Sequence, residues 1–351
     1  MTMNTLQELG WSPVYLQDMD LDREVLDDVA RITAVHRNRY KALDASGPIT
    51  LYPATDDLTG EDRPTVGDWV VIDRALERPT RVIARKSLFR RKAAGEAHSV
   101  QLIAANVDTA LIVSSCNDDL NPARLERYLA MVREAGATPV IVLTKADLAG
   151  DPYDFVDQAR AVAGGALVEA VNALDPVSLT SLDIWCGTGE TLALIGSSGV
   201  GKTTLMNTLT GESAETGGIR EDDAKGRHTT RGRSLHGLPS GGWIIDTPGM
   251  RELALTGADA GLSSTFSDIV ELAEKCRFSD CAHGEEPGCA VRAAIGDGAL
   301  AADRLKRFEK LGREMRFNDE TLAERRARMK QWGKEIKDAH AKRRALGDLK
   351  P

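Results

Sequence analysis

Eight consecutive residues carry the most specific chemistry in the chain: Gly196, Ser197, Ser198, Gly199, Val200, Gly201, Lys202 and Thr203. Their spacing is G-x-x-x-x-G-K-S/T, in which glycines let backbone N–H groups turn inward around phosphate oxygens. A helix opening near Lys202 adds the partial positive charge of its N-terminus. In this pattern Lys202 reaches the β- and γ-phosphates, Thr203 ligates Mg²⁺ through its hydroxyl, and Thr204 follows among the nucleotide-contacting residues. The pattern implies a nucleoside triphosphate but does not choose the base.

Thr144, Lys145, Ala146 and Asp147 supply the choice. A carboxylate at Asp147 accepts from both N1–H and the 2-amino group of guanine, and adenine lacks that donor pair. The aliphatic stem of Lys145 can cover the base plane. A T-K-x-D tetrapeptide is common by itself; this one directly follows the apolar run Val140–Leu143. Asn172 and Ala173 stand where a second guanine-contacting loop would lie. After apolar Ile244 and Ile245 comes Asp246-Thr247-Pro248-Gly249. Asp246 can hold Mg²⁺ through water, and the N–H of Gly249 can bind the γ-phosphate and register its loss. Between them, Gly226-Arg227-His228-Thr229-Thr230 offers a loop threonine for Mg²⁺, Thr230 first and Thr229 next.

Cys276, Cys281, His283 and Cys289 fall within 14 positions. Three thiolates and one imidazole satisfy a closed tetrahedral Zn²⁺ site with no position left for substrate, so one structural zinc per chain is expected. The other two cysteines, Cys116 and Cys186, stand alone. This usage reads as metal ligation in a reducing compartment rather than a disulfide framework.

These residues need elements to position them. From about Ala30 to Ala84, short strands with turn punctuation predict a small closed barrel, either an OB-fold or an SH3-like barrel by period alone. From about Gln101 the rhythm becomes alternating strand and helix. Val107–Ser114, Val140–Leu143, Leu192–Ile195 and Trp243–Ile245 read as buried strands, and helices are predicted after Asn121-Pro122 and over Tyr153–Val162. That is a parallel α/β sheet with nucleotide loops at its carboxyl edge. Beyond about Leu255 the strands stop, Thr265–Cys276 reads as helix, and Ala301–Leu346 as charged helix.

The 351 residues are 42% hydrophobic and 28% charged, enough for packed cores. No run approaches the ~18 apolar residues of a membrane helix. The segment Met1–Trp11 lacks the pattern of a secretory signal, so a cytoplasmic location is expected. A net charge of −8 argues against a nucleic-acid partner, but the charge is uneven. From Ala302 to Pro351 there are 16 Lys/Arg against 9 Asp/Glu, and Arg81, Arg85, Lys86, Arg90, Arg91 and Lys92 form a second basic cluster. Such local footprints suit RNA contacts; the bland reading is a solvated helix face and a solvated loop.

With these motifs in this order, the chain resembles the ribosome small-subunit-dependent GTPase A family (RsgA, also called YjeQ). The carriers are Gln101–Asp108, Thr144–Asp147, Gly196–Thr203, Gly226–Thr230, Asp246–Gly249 and Cys276–Cys289. The guanine motif precedes the phosphate loop, a circularly permuted order. The resemblance implies an α/β fold: a circularly permuted P-loop GTPase domain (101–255) after an N-terminal small β-barrel or OB-fold (1–100), with a C-terminal helical zinc-binding domain (256–351). It implies GTP hydrolysis to GDP and phosphate with Mg²⁺, stimulated by the small ribosomal subunit in late maturation, through contacts to its rRNA. A monomer is expected. The family usually has Asn where this chain has Thr144, and the resemblance says little after about Phe308.

Lys202, Gly249 and His228 are the candidate catalytic residues. Met250 follows Gly249 where Ras-like enzymes place a water-orienting Gln, and a thioether cannot do that job. Slow intrinsic turnover is expected; His228 is the group that orients water when a partner binds, an RNA contact, or a solvated loop residue. Two rivals use the same phosphate loop. A small-molecule kinase would leave Asp147 without purpose and would need an acceptor, whereas a zinc-delivering GTPase would need labile metal. Replacing Asp147→Asn exchanges a double acceptor for a mixed donor and acceptor. Competition binding should show preference moving from guanine toward xanthine nucleotides, and unchanged guanine affinity would defeat the assignment.

Overall fold

Two-residue periodicity builds the first unit. In a computed structural model, residues 5–53, 58, 60–92, 100–211, 233–246 and 259–319 are described. Strands β1 (Val29–Val35), β2 (Tyr40–Asp44), β3 (Gly47–Leu51), β4 (Trp69–Asp73) and β5 (Arg78–Val82) pair antiparallel in the order β3-β2-β1-β4-β5. Tyr52 N–H donates to Glu77 O at 2.8 Å, bringing the two edge strands together in the five-strand order of an OB-fold. Ala30, Ile32, Val70 and Ile72 fill the inside with Tyr40, Ala42 and Leu51. Their alternates Val29, Trp69 and Val71 point outward, yet are buried beneath Leu9, Trp11, Tyr15 and Met19. Both faces are therefore apolar, and burying each large side chain contributes about 1.5–3 kcal/mol.

The second unit is a doubly covered sheet. Strands β8 (Thr109–Ser115), β9 (Thr138–Thr144), β10 (Leu167–Ala170), β11 (Thr191–Gly196) and β13 (Trp243–Asp246) run parallel in the order β10-β9-β8-β11-β13. Ala110, Ile112, Ile141 and Leu143 face helices α1 (Pro122–Glu134) and α2 (Pro152–Arg160). Leu111, Val113, Val140 and Val142 face α3 (Lys202–Thr210) and the 3-10 helix Ser178–Trp185. Covering on both sides explains why these strands read as continuous apolar runs. Asn121 caps α1 by accepting from Arg124 N–H at 3.1 Å, with Pro122 fixing the first turn.

One antiparallel strand, β12 (Ser234–Gly237), lies between β13 and the barrel and pairs with β1 at Ala34↔Ser234. It joins both units into a single eleven-stranded sheet. Arg31, fully buried, reinforces the junction: Nη2 donates to Thr191 Oγ1 at 2.6 Å and Nη1 to Leu9 O. Burial pulls its pKa down to about 10, so it stays charged at neutral pH.

A separate hairpin, β6 (Leu88–Lys92) with β7 (Val100–Ala105), places Phe89, Ile103 and Ala104 in the core of the α/β unit. The basic cluster around it is not the bare footprint its sequence implies. Arg81 pairs with Asp18 and Glu24, Arg85 with Asp68, Lys86 with Asp108 and Arg90 with Glu61. Arg81 and Arg90 tie strands to neighbouring segments, and Arg85 and Lys86 tie loop to loop.

Among the described residues that follow, the helices are α4 (Asp259–Thr265), α5 (Ser267–Ala273), α6 (Ala290–Gly296) and α7 (Ala302–Asp319). The helix expected over Thr265–Cys276 is broken at Phe266, whose ψ of 39° turns the chain while its ring enters the core. The remainder of the expected charged helix, 320–351, lies outside the described residues. Helix α4 crosses α1 so closely that a Cβ on Gly261 would overlap Ala130 O, which only glycine permits. Fully buried Glu126 of α1 accepts from Arg304 Nη1 at 2.8 Å and from Arg307, and Arg304 also pairs with Asp268 at 2.6 Å. Glu126→Leu takes the shared carboxylate from Arg304 and Arg307, leaving Arg304 only its pairing with Asp268 and its bond to Thr265 O. The expected cost is about 3 kcal/mol, read as a lower urea midpoint; a shift under about 1 kcal/mol would show that α7 is held by packing alone.

Candidate nucleotide and metal sites

The phosphate-loop motif spans the end of β11 and the start of α3, as its spacing requires. Gly196 comes so close to Val113 O on the neighbouring strand that a Cβ would overlap it. Lys202 Nζ donates to Gly196 O at 2.8 Å and to Ser197 O, turned back over its own loop. Thr203 is exposed on the first turn of α3 and Thr204 half-buried behind it. Ser198 and Gly199 are exposed at the tip, and Val200 is buried beneath it.

The Thr144–Asp147 loop touches this one directly. Thr144 is fully buried, with its hydroxyl 2.6 Å from Val200 O and 3.1 Å from Ser114 O. Lys145 takes a left-handed backbone, φ 59°, and its Nζ donates to Gly199 O at 3.0 Å. Asp147 is exposed on the short helix Ala146–Leu148 that follows. Ala146 N–H donates to Val171 O at 3.3 Å, tying this loop to the one carrying Asn172 and Ala173. Ser178 Oγ accepts from Asn172 N–H at 2.9 Å, and Thr208 of α3 donates to Ala173 O at 2.7 Å. Ser178 and Thr208 have no motif to mark them; they act on the site only through backbone positions.

Asp246 ends β13, which pairs with β11, so its carboxylate stands at the same sheet edge as the phosphate loop. Burial raises its pKa, opposed by His236. The hydroxyl of Thr203 and the carboxylate of Asp246 are hard oxygen donors of the type Mg²⁺ takes. His228, Thr229, Thr230, Thr247, Pro248, Gly249 and Met250 lie outside the described residues.

The second constellation is assembled. The ligand atoms of Cys276, Cys281, His283 and Cys289 all lie within 4.8 Å of one another. Cys276 Sγ and Cys289 Sγ are 3.9 Å apart, and His283 Nδ1 is 3.7 and 3.5 Å from them. A tetrahedral zinc with Zn–S near 2.3 Å and Zn–N near 2.0 Å requires about 3.8 Å between sulfurs and about 3.5 Å from sulfur to nitrogen. The donor set therefore fits zinc in both chemistry and spacing. Arg277 N–H donates to Gly288 O at 3.1 Å, bringing the first and last ligands together. Cys289 also caps α6, where Arg292 N–H points at its sulfur at 3.4 Å. By contrast, burial pushes the thiol of Cys186 up to about 11 and raises that of Cys116 as well, so both are inert side chains of the core.

The RsgA GTPase family model matches residues 82–256. Small ribosomal subunit biogenesis GTPase RsgA 2 of Vibrio vulnificus is 48% identical over 345 residues, 97% of each chain. Small ribosomal subunit biogenesis GTPase RsgA of Mesorhizobium japonicum is 47% identical over 318 residues, 90% of this chain and 91% of the relative. Among solved structures, YloQ, described as a circularly permuted GTPase, superposes with a TM-score of 0.59 at 25% identity, covering 83% of this chain and 96% of its own. YjeQ of Thermotoga maritima superposes with the same TM-score at 23% identity, covering 81% and 96%, and shares the fold.

Removing the buried hydroxyl with Thr144→Val leaves Val200 O unpaired beneath the phosphate loop, a loss of about 1–2 kcal/mol. GDP titration should show roughly tenfold weaker binding, and unchanged affinity would mean the two loops are held by other contacts. Cys281→Ala should abolish copurified zinc by metal analysis while GDP binding persists, since the two sites lie on different elements.

Proposed function

This chain belongs to the RsgA GTPase family and is a GTP hydrolase with a circularly permuted nucleotide domain; from that premise we propose that its hydrolysis serves maturation of the small ribosomal subunit and is stimulated by that particle. The observation that carries the site assignment is the contact of two loops far apart in sequence: Thr144 beneath Val200, and Lys145 on Gly199. A base-reading loop braced against a phosphate loop has one use, to grip both ends of a nucleotide. The partner rests on the relatives, which are named for small-subunit biogenesis and span nearly the whole chain. They favour neither a kinase nor a metal-delivery reading.

In this reading Asp147 selects guanine, Lys145 covers the base, and Ala146, Asn172 and Ala173 border it. Gly196 to Thr204 hold the phosphates, with the N–H groups of Ser197 to Gly201 turned toward them. Thr203, Thr230 and Asp246 would hold Mg²⁺, directly or through water, and the ion would supply charge neutralisation at the β- and γ-phosphate oxygens. Water attacks the γ-phosphorus, the bond to the β–γ bridging oxygen breaks, and GDP leaves with its electron pair. Lys202 swings from its loop carbonyls to the phosphates, and Gly249 N–H holds the γ-phosphate. Met250 follows Gly249 in sequence and its thioether cannot orient water, so we assign that task to His228 once a partner binds.

The remaining assignments follow the same reading. Residues 1–100 form the barrel unit, 101–255 carry the nucleotide, and 256–351 carry the metal and a basic tail. One Zn²⁺ closes the four-ligand site as a structural ion. The chain acts as a monomer in the cytoplasm; among the described residues no helix is long and apolar enough to cross a membrane.

Purified small subunits should raise kcat for GTP at least tenfold, with the stimulation falling steeply as salt rises. Lys202→Ala should abolish basal and stimulated hydrolysis while retaining zinc. An unchanged rate with saturating GTP and subunits at low salt would remove the ribosomal partner and leave the GTPase standing.

A further inference from the structure

Beside the end of β13 stand a serine and a histidine to which none of the nucleotide motifs gives a role. Ser234 and His236 lie two residues apart on β12, so their side chains share one face. Ser234 is directly opposite Asp246 in the antiparallel β12–β13 pair, and His236 is opposite Ile244. Leu235 and Ile245 face the core beneath α1, whereas Ile244 packs in the core beneath α3. By alternation Ser234, His236 and Asp246 all stand on the α3 side of the sheet, and α3 also carries Thr203.

These three side chains are half-buried, and Ser234 Oγ is 2.8 Å from His236 Nε2. His236 is near enough to Asp246 to oppose the rise in its pKa that burial causes. A carboxylate only accepts hydrogen bonds, whereas a hydroxyl both accepts and donates. One assignment therefore uses every group: His236 Nε2–H donates to Ser234 Oγ, and the Ser234 hydroxyl donates to Asp246. Directly opposed residues of an antiparallel pair have Cβ atoms about 4.5–5.5 Å apart, a span that serine and aspartate side chains bridge. The backbone of Ser234 is paired on both sides, with Asp246 and with Ala34 of the barrel, so its hydroxyl is presented from a fixed strand.

We propose that Ser234 is a positioning residue for the magnesium side of the nucleotide site: its hydroxyl, backed by His236, fixes one oxygen of Asp246 and leaves the other to the ion's water. The proposal rests on the reading of Asp246 as a magnesium-side carboxylate. Carboxylates that serve metals are themselves held by hydrogen bonds, and losing such a partner costs about 10–100-fold in metal affinity or activity.

The full-length, zinc-loaded chain saturated with GDP is titrated with Mn²⁺ as the probe, and the free ion is read by electron paramagnetic resonance. Ser234→Ala should weaken Mn²⁺ binding about tenfold, the low end of that range. The Mg²⁺ concentration for half-maximal GTP hydrolysis should rise in the same proportion. Ser234→Thr keeps the hydroxyl and should restore both. His236→Phe should weaken Mn²⁺ binding as well, because the serine hydroxyl is then free to turn away. Zinc content, and GDP affinity without added divalent ion, should match the unmodified chain, which verifies folding. If alanine disturbs the strand, Ser234→Val against Ser234→Thr, alike in shape and differing by the hydroxyl, makes the same comparison. Equal Mn²⁺ affinity in Ser234→Ala, or a loss that Ser234→Thr shares, overturns the role of the hydroxyl. Full affinity in His236→Phe overturns that of the ring. Asp246→Asn separates the two readings. If it leaves Mn²⁺ affinity unchanged, the metal assignment of Asp246 has failed; if it weakens Mn²⁺ binding while Ser234→Ala does not, only this inference has.

Discussion

The carbonyl of Val200 resting on the hydroxyl of Thr144 joins two loops 56 residues apart in sequence. Everything in the nucleotide site depends on their being neighbours. The parallel sheet makes them so, because β9 and β11 flank β8 and end at the same edge. Position along the chain is then irrelevant to the pocket, which explains how a guanine-reading loop can come first. A glycine at 196 allows the close approach of β8, and a small buried threonine at 144 fits beneath the loop. A longer side chain there would have to find other room or reach past the carbonyl.

The C-terminal helices are fastened to the same unit by different means. Glu126 accepts from two arginines of α7 inside the α1–α4 interface, where desolvation makes its charge costly without them. The four metal ligands close a short loop whose cysteines also meet the same core: Cys289 is buried in it, and Cys276 and Cys281 pack against it.

Much of this was legible in the residues themselves. The strands ending at Ser115, Thr144 and Gly196 announce themselves by continuous apolar runs, Asn121-Pro122 by its capping chemistry, and the metal ligands by spacing. The barrel followed from period-two runs, although Val29 and Trp69 are buried on the outer face by a segment whose role no period reveals. Strand β12 was invisible because Ser234–Gly237 is short and polar, and its pairing is decided by strands far away in sequence. The ion pairs of four clustered cations could not be read from sequence, because they depend on acids such as Asp18, Asp68 and Asp108 that only folding brings near.

The single pairing of Ala34 with Ser234 has a mechanical meaning. Two globules joined by a linker pivot independently, and a push on one dissipates in the linker. Here the barrel and the nucleotide sheet share hydrogen-bonded strands, with buried Arg31 stitched across the junction. Ser234, the residue paired with the barrel, is also the partner of Asp246 on β13, so the barrel and the magnesium-side strand end are two strands apart in one hydrogen-bonded sheet.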